Sequence, residues 1–253
     1  MIAITRKVSP AITRCELTHL DREPIDLALA ERQHAHYEHC LAELGCRVES
    51  LPAEPDLPDS VFVEDTAVVL DELAVMTRPG AASRRAEVAS IARVLACYRP
   101  VARIEAPGTL DGGDVLRLGR RLFVGLSSRS NQNAIEQLRG FLAPHGYTVE
   151  GVRVTGCLHL KSAATQVAPD LVLVNRAWVN AAPFTGYTPI EIDPAEPYAA
   201  NALRIGDGVI YPTAFPRTAE RLERAGLRLE PVDVSELAKA EGAVTCCSLL
   251  LAG

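Results

Sequence analysis

No apolar run in this sequence approaches the roughly 20 residues that a membrane-spanning helix needs. Its first residues do not show the charged-then-apolar pattern of a secretory signal. A cytoplasmic globular protein is therefore the expectation. Paired C-x-x-C or H-x-x-x-H spacing is lacking, so no structural metal site is expected. A glycine-rich phosphate loop is lacking too, because Gly112-Gly113 leads into a predicted strand and not a helix. Basic charge is in deficit: 26 Lys and Arg against 32 Asp and Glu give a formal net charge of -6. That balance disfavours nucleic acid or an anionic membrane as partner and favours a cationic small molecule. The 7 cysteines are odd in number and scattered without framework spacing, which fits reduced thiols.

What is present is an ordinary globular composition. The 253 residues are 48% hydrophobic and 23% charged, enough for a sizeable core in one domain over 1–253. No linker or low-complexity stretch divides it. A strand at Met1–Thr5 precedes an amphipathic helix carrying Leu27, Ala30, His34, Tyr37, Leu41 and Leu44, which Gly45 stops. A strand at Arg47–Leu51 follows. An apolar strand over Val61–Val63 then runs into Glu64-Asp65, followed by a hairpin, a helix over Ser83–Tyr98 and a strand over Val101–Ile104. The order hairpin, helix, strand recurs about every 40 to 50 residues, a period that signals arrays or closed rings. Hairpins fall at Asp114–Gly125, Ala163–Val174 and Asn201–Tyr211, the last over the strong turn Gly206-Asp207-Gly208. The unit that begins with the Ala163–Val174 hairpin carries only a short helix, around Trp178. If a final strand over Gly242–Leu250 pairs with the N-terminal one, the count closes at five and the sheet edges are hidden.

The unusual polar residues share one register, at the entry to each hairpin. They are Asp59 with Glu64-Asp65-Thr66, then Asp111-Gly112-Gly113-Asp114, then Leu158-His159-Leu160-Lys161-Ser162, then Glu196 to Asn201, and finally Thr245-Cys246. In a ring of quasi-equivalent units these groups converge on the axis. Cys246 and Cys247 sit in the predicted last strand and so point to opposite faces. Both are small buried hydrophobes on one reading; on the other, one of them faces a cleft as nucleophile. His159 is then the natural acid/base, and Asp111 the carboxylate that orients it. Glu64 and Asp65 are either solvated acids on an edge strand or a clamp for a cation. Arg84, Arg85 and Arg129 start helices, where the macrodipole would prefer acids; they are surface residues or forks for a carboxylate.

Across essentially the whole chain the sequence resembles the guanidino-group-modifying enzymes of the pentein fold, most closely the dimethylarginine dimethylaminohydrolases. The matching stretches include Pro58-Asp59-Ser60-Val61-Phe62-Val63-Glu64-Asp65, Thr77-Arg78-Pro79-Gly80, Leu110-Asp111-Gly112-Gly113-Asp114, Leu158-His159-Leu160-Lys161-Ser162 and Thr245-Cys246-Cys247-Ser248. The resemblance implies an α/β fold, a five-bladed propeller with pseudo-five-fold repeats around a central active site. It implies Cys246 as nucleophile, His159 as acid/base and Asp111 as its orienting carboxylate. It places guanidinium recognition on Asp65, with Glu64 and Asp59 in the same pocket, and puts Arg84 and Arg129 at the amino-acid end. Leu17 corresponds to a lid leucine, and Ala240 and Glu241 to backbone contacts with substrate. The implied reaction is hydrolysis of Nω-methylated arginines to citrulline and dimethylamine or methylamine through a covalent thiouronium. No cofactor or metal is implied, and the protein is a monomer or homodimer. Two alternatives stand beside it: an arginine deiminase, disfavoured by Lys161 two residues after His159, and a non-catalytic ring that binds a ribosomal or other protein partner.

Overall fold

A computed structural model describes residues 1–252. Its strands form five sheets of three, each with the same connectivity. Within a blade an antiparallel hairpin is followed by a parallel third strand. Ala67–Val69, Ala74–Met76 and Val101–Arg103 make one such blade, and Val115–Leu118, Arg121–Leu126 and Thr148–Arg153 the next. Ala164–Ala168, Leu171–Val174 and Thr188–Glu191 follow, then Leu203–Ile205, Gly208–Pro212 and Arg228–Val232. The remaining blade is stitched from both ends of the chain. Leu249–Leu251 lies antiparallel to Ile2–Arg6, which runs parallel to Arg47–Leu51. First strands of neighbouring blades touch, so the sheets stand around a common axis.

In four of the five blades a helix leads into the parallel third strand, whereas no helix lies between Leu171–Val174 and Thr188–Glu191. The longest helix, Leu27–Glu43, is capped where the Asp26 carboxylate accepts the Leu29 amide at 3.0 Å, and Gly45 ends it at φ 90°. It buries Ala30, Tyr37, Cys40 and Leu41 against the stitched blade and its neighbour. Val88–Leu95 and Gln132–Leu142 do the same in their blades through Ile91, Leu95, Ile135 and Leu138. Apolar residues are thus sandwiched between sheet and helix in these blades, where each fully buried Leu or Ile contributes about 1.5–3 kcal/mol.

The hairpins are entered differently from the sequence-based expectation. Each is preceded by one tight turn closed by an i to i+3 hydrogen bond. The donor–acceptor pairs are Asp65–Phe62, Asp114–Asp111, Ser162–His159, Ala199–Glu196 and Cys246–Ala243. Val61–Val63 is accordingly not a strand, and Glu64 and Asp65 lie in the 3₁₀ helix Val63–Thr66. The last strand covers only Leu249–Leu251, so Cys246 and Cys247 occupy a turn and are not separated by strand alternation. Local side-chain bonds to the backbone favour the turn over a ladder: Thr66 Oγ1 donates to Val63 O at 2.7 Å and Thr77 Oγ1 to Asp65 O at 2.6 Å. The predicted helix over Ser83–Tyr98 divides into a 3₁₀ segment, Ala82–Glu87, and the α-helix Val88–Leu95. Around Trp178 there are turns and no helix.

Candidate active site

Four of the five turns bring most of the predicted residues together, while the Glu196–Ala199 turn contributes none. Asp65, Arg84, Arg129, His159 and Cys246 all line one small pocket, with Asp59, Phe62, Leu158, Ala240 and Glu241. His159 is buried, with Nε2 3.0 Å from Asp111 Oδ2 and Nδ1 3.9 Å from Asp65 Oδ1. Burial alone would pull the imidazole down, but Asp65, the Asp111 hydrogen bond and Asp114 outweigh it and set the group at about 9. His159 is therefore an imidazolium at neutral pH, with Nε2–H donating to Asp111 and Nδ1–H left on the side of Asp65 without a hydrogen bond to it. The Cys246 thiol is held protonated by its own burial and by the negative charge of Glu64 and Asp65, with Lys161 opposing. A cation arriving beside Asp65 offsets part of that penalty.

Gly112 and Gly113 make the approach possible. A β-carbon on Gly113 would stand 2.5 Å from His159 Nδ1 and 2.8 Å from Asp65 Oδ1, and one on Gly112 would stand 1.9 Å from Glu64 O. Any larger residue would therefore force apart the turns that bear the acid and the imidazole. Asp111 is fixed from its other side by the Gly80 amide at 2.9 Å, and its own amide donates to Ser130 Oγ at 3.1 Å.

Arg84 sits in a buried ion cluster. It donates through Nη1 to Asp65 Oδ2, through Nε and Nη2 to Glu87 (3.1 and 2.8 Å), and through Nη2 to Phe62 O (3.1 Å). The second Nη1 hydrogen has no acceptor among the described residues. Asp65 Oδ1 also accepts the Gly113 amide at 2.9 Å, so this carboxylate is fixed in place and held ionised. Arg129 has more freedom: its Nη2 donates to Thr18 Oγ1 at 2.9 Å and its Nη1 lies 3.7 Å from Asp111 Oδ2. Asp59 is buried and accepts the Glu16 amide at 3.1 Å. Leu17 is half-buried on the same loop and packs onto the apolar cluster beneath it. No donor among the described residues reaches the carbonyl oxygens of Ala240 or Glu241.

Glu64 departs from the expected grouping. Its Oε1 pairs with Lys161 and its Oε2 accepts Thr245 Oγ1 at 2.8 Å, and it lines a different cavity on the other side of the turns. Adjacent positions on a tight turn thus send Asp65 to the pocket and Glu64 away from it. Asp65, Asp111 and His159 bring ligand-type atoms within 4.8 Å of one another. With Arg84 already bonded to Asp65, that cluster holds its own cations and has little to offer a metal ion.

Three residues escaped the sequence-based reading. Glu87 neutralises Arg84, and its spacing three residues along a helical segment was the available signal. Asp114 is more than a turn cap. It accepts Ser127 Oγ and Ser130 Oγ, both at 2.6 Å, and the Leu160 amide at 3.0 Å, so it ties the Arg129 loop to the His159 turn. Glu16 lines the pocket with its carboxylate bonded to Ser83, and nothing in its sequence context marked it.

No protein-family model matches the chain. Among characterised proteins it is 39% identical to the N(G),N(G)-dimethylarginine dimethylaminohydrolase of Streptomyces coelicolor over 252 residues, covering 98% of this chain and 96% of that one. It is 38% identical to the enzyme of the same name from Pseudomonas aeruginosa over 226 residues, 88% of this chain and 89% of that one. A cysteine-to-serine variant of the Pseudomonas aeruginosa protein, solved with citrulline, superposes with a TM-score of 0.93 at 35% identity, covering 98% and 97% of the two chains. The N-terminal domain of a cyanobacterial arginine dihydrolase shares the fold alone, with a TM-score of 0.83 at 18% identity. The five-bladed α/β propeller expected from the sequence is therefore the architecture present, and the chain belongs to the dimethylarginine dimethylaminohydrolase family.

Proposed function

We propose that the protein hydrolyses Nω-methylated arginines to citrulline and dimethylamine or methylamine. The observation that carries this reading is the convergence of a buried thiol, an imidazolium braced by Asp111 and a fixed carboxylate, Asp65, in one pocket. The substrate guanidinium lies against Asp65, and Asp59 and the backbone carbonyls of the lid and of Ala240 meet its α-amino group. Arg129, with the remaining hydrogen of Arg84, meets its carboxylate. Binding a cation beside Cys246 offsets the negative charge of Asp65 and Glu64 and lets the thiol ionise. The thiolate adds to the guanidinium carbon. His159 then gives its Nδ1 proton to the departing amine, and the C–N bond breaks to leave an S-alkylthiouronium. Neutral His159 takes a proton from water, whose oxygen adds to the same carbon; expulsion of the thiolate leaves citrulline. Asp111 keeps the ring in place throughout.

Deimination of unmethylated arginine is less favoured, because Lys161 is engaged with Glu64 at the position where a second cation-binding acid would be needed. Seven unpaired cysteines support a reducing, cytoplasmic location. The chain acts as one catalytic domain, monomeric or as a homodimer. The test is to supply asymmetric dimethylarginine and arginine separately to wild type, Cys246→Ser and Cys247→Ser and to measure citrulline. Cys246→Ser should lose about 10³-fold or more on dimethylarginine, and Cys247→Ser should stay within a few-fold of wild type. Absence of citrulline from both substrates sinks the reading, and a preference for arginine moves it to the deiminase.

A further inference from the structure

The loop over residues 15–22 closes the pocket so far that a cavity of only about 10 Å³ remains. No amino acid fits there, so the loop must open for every turnover. Besides Ser83, which donates to the exposed Glu16 carboxylate, its tethers fall into two kinds. Asp59, which holds the Glu16 amide, and Arg129, which holds Thr18 Oγ1, are also placed to meet the ends of a substrate. Glu241 is different. Its carboxylate accepts the successive amides of Thr18, His19 and Leu20, at 3.0 Å to Thr18 and 2.8 Å to Leu20. Three consecutive N–H groups turned to one anion form a nest, and no Lys or Arg among the described residues pairs with this carboxylate.

Glu241 also has φ 58°, the left-handed region that a residue with a β-carbon disfavours, and it is the one described residue other than glycine found there. Such a conformation persists where the surroundings over-determine it. Gly242 follows, its amide donating to Leu237 O at 3.0 Å, and the turn that presents Cys246 begins at Ala243. The residue that grips the loop is therefore five positions from the nucleophile along the same backbone.

We infer that the Glu241 side chain is a latch: it holds the loop over the pocket independently of substrate and ties that closure to the turn bearing Cys246. It acts on catalysis as a positioning residue, and that consequence rests on the hydrolase reading above. The grip on the loop does not.

Access to Cys246 gives a readout separate from activity. Wild type, Glu241→Gln and Glu241→Gly are treated with iodoacetamide without substrate, and labelling is followed by peptide mass spectrometry. Glu241→Gly deletes the carboxylate while relieving the backbone, so it guards against loss of folding. Both variants should label Cys246 at least tenfold faster than wild type, with exposed Cys97 unchanged and buried Cys157 and Cys247 still protected. On dimethylarginine, KM should rise about tenfold with kcat within threefold. Unchanged Cys246 labelling in both variants overturns the latch, and so does acceleration that extends to Cys157 and Cys247, which would mean general loosening. Accelerated Cys246 labelling in a protein that turns over neither dimethylarginine nor arginine supports the latch and rejects the hydrolase reading.

Discussion

On one side of the five turns the pocket around Cys246 is shut to about 10 Å³, whereas on the other a cavity of about 470 Å³ opens around Glu64 and Lys161. The two share their walls residue by residue. Asp65, His159 and Cys246 face the first; Glu64, Lys161 and Thr245 face the second. On a tight helical turn successive side chains diverge by about 100–120°, so neighbours in sequence are sent to opposite ends of the axis. The closed side is more tightly determined: Asp65 is held by Arg84 and the Gly113 amide, Asp111 by His159 and the Gly80 amide, and Glu241 by three successive amides. The open side has the Lys161–Glu64 ion pair, the Thr245 hydroxyl bond to Glu64 and an apolar rim that includes Val69, Leu70, Leu116 and Leu250. Chemistry that needs a fixed geometry and excluded water sits on the constrained side, and the open side supplies charge from behind.

If that contrast is right, disturbing the closed side should cost most. Arg84→Met leaves Asp65 and Glu87 buried without their cation, and removing one partner of such a cluster costs about 3–5 kcal/mol. Urea unfolding should show a loss of that size together with loss of citrulline formation. A fall below about 1 kcal/mol would mean the cluster behaves like a surface pair.

His159 tests the closed side through pH. Its ordinary value is 6.5 and its value in the folded protein is about 9. A raised value means the folded state holds the proton more tightly, so the stabilisation is fully present below about pH 6.5 and disappears as pH rises through 9. The stability gap between wild type and His159→Gln should therefore be wide at pH 6 and narrow at pH 10. The kcat/KM profile should fall on its alkaline side near pH 9, as the proton destined for the leaving amine is lost.

The open side should respond least. Lys161→Met strands Glu64, which keeps only the Thr245 hydroxyl, at a cost of roughly 1–3 kcal/mol. Because Lys161 lowers the Cys246 thiol from behind, kcat/KM at neutral pH should fall modestly. Glu64→Gln in the same chain should restore most of both. Failure of the double variant to recover would show that the ion pair does more than balance charge.

The ring itself was legible in the sequence because it is written in local signals. Alternating apolar residues, turn dipeptides and helix stops recur at one period, and the stitched blade follows from counting them. The register of polar residues was legible for the same reason. The tight turns were not, because Val61-Phe62-Val63 and Val244 are apolar and read as strand, while their hydrogen bonds depend on neighbours such as Thr77. The partition of Glu64 from Asp65 was not legible, because it follows from the tight turn that the apolar residues before it concealed. The grip of Glu241 on residues 18–20 joins positions whose proximity exists only after folding.

The blade stitched from both ends bears on biosynthesis. Leu249–Leu251 closes the ring against Ile2–Arg6, and it follows Cys246 by only a few residues. A nascent chain therefore carries His159, Asp111 and the lid well before it carries the thiol or the strand that seals the circle. Until both emerge, the first strand has an unpaired edge, and the long-range pairing that completes it is the kind that forms slowly. Competence should appear in one step once both have emerged, so that chains stalled before Cys246 accumulate as inert, open-edged species rather than as partly active enzyme.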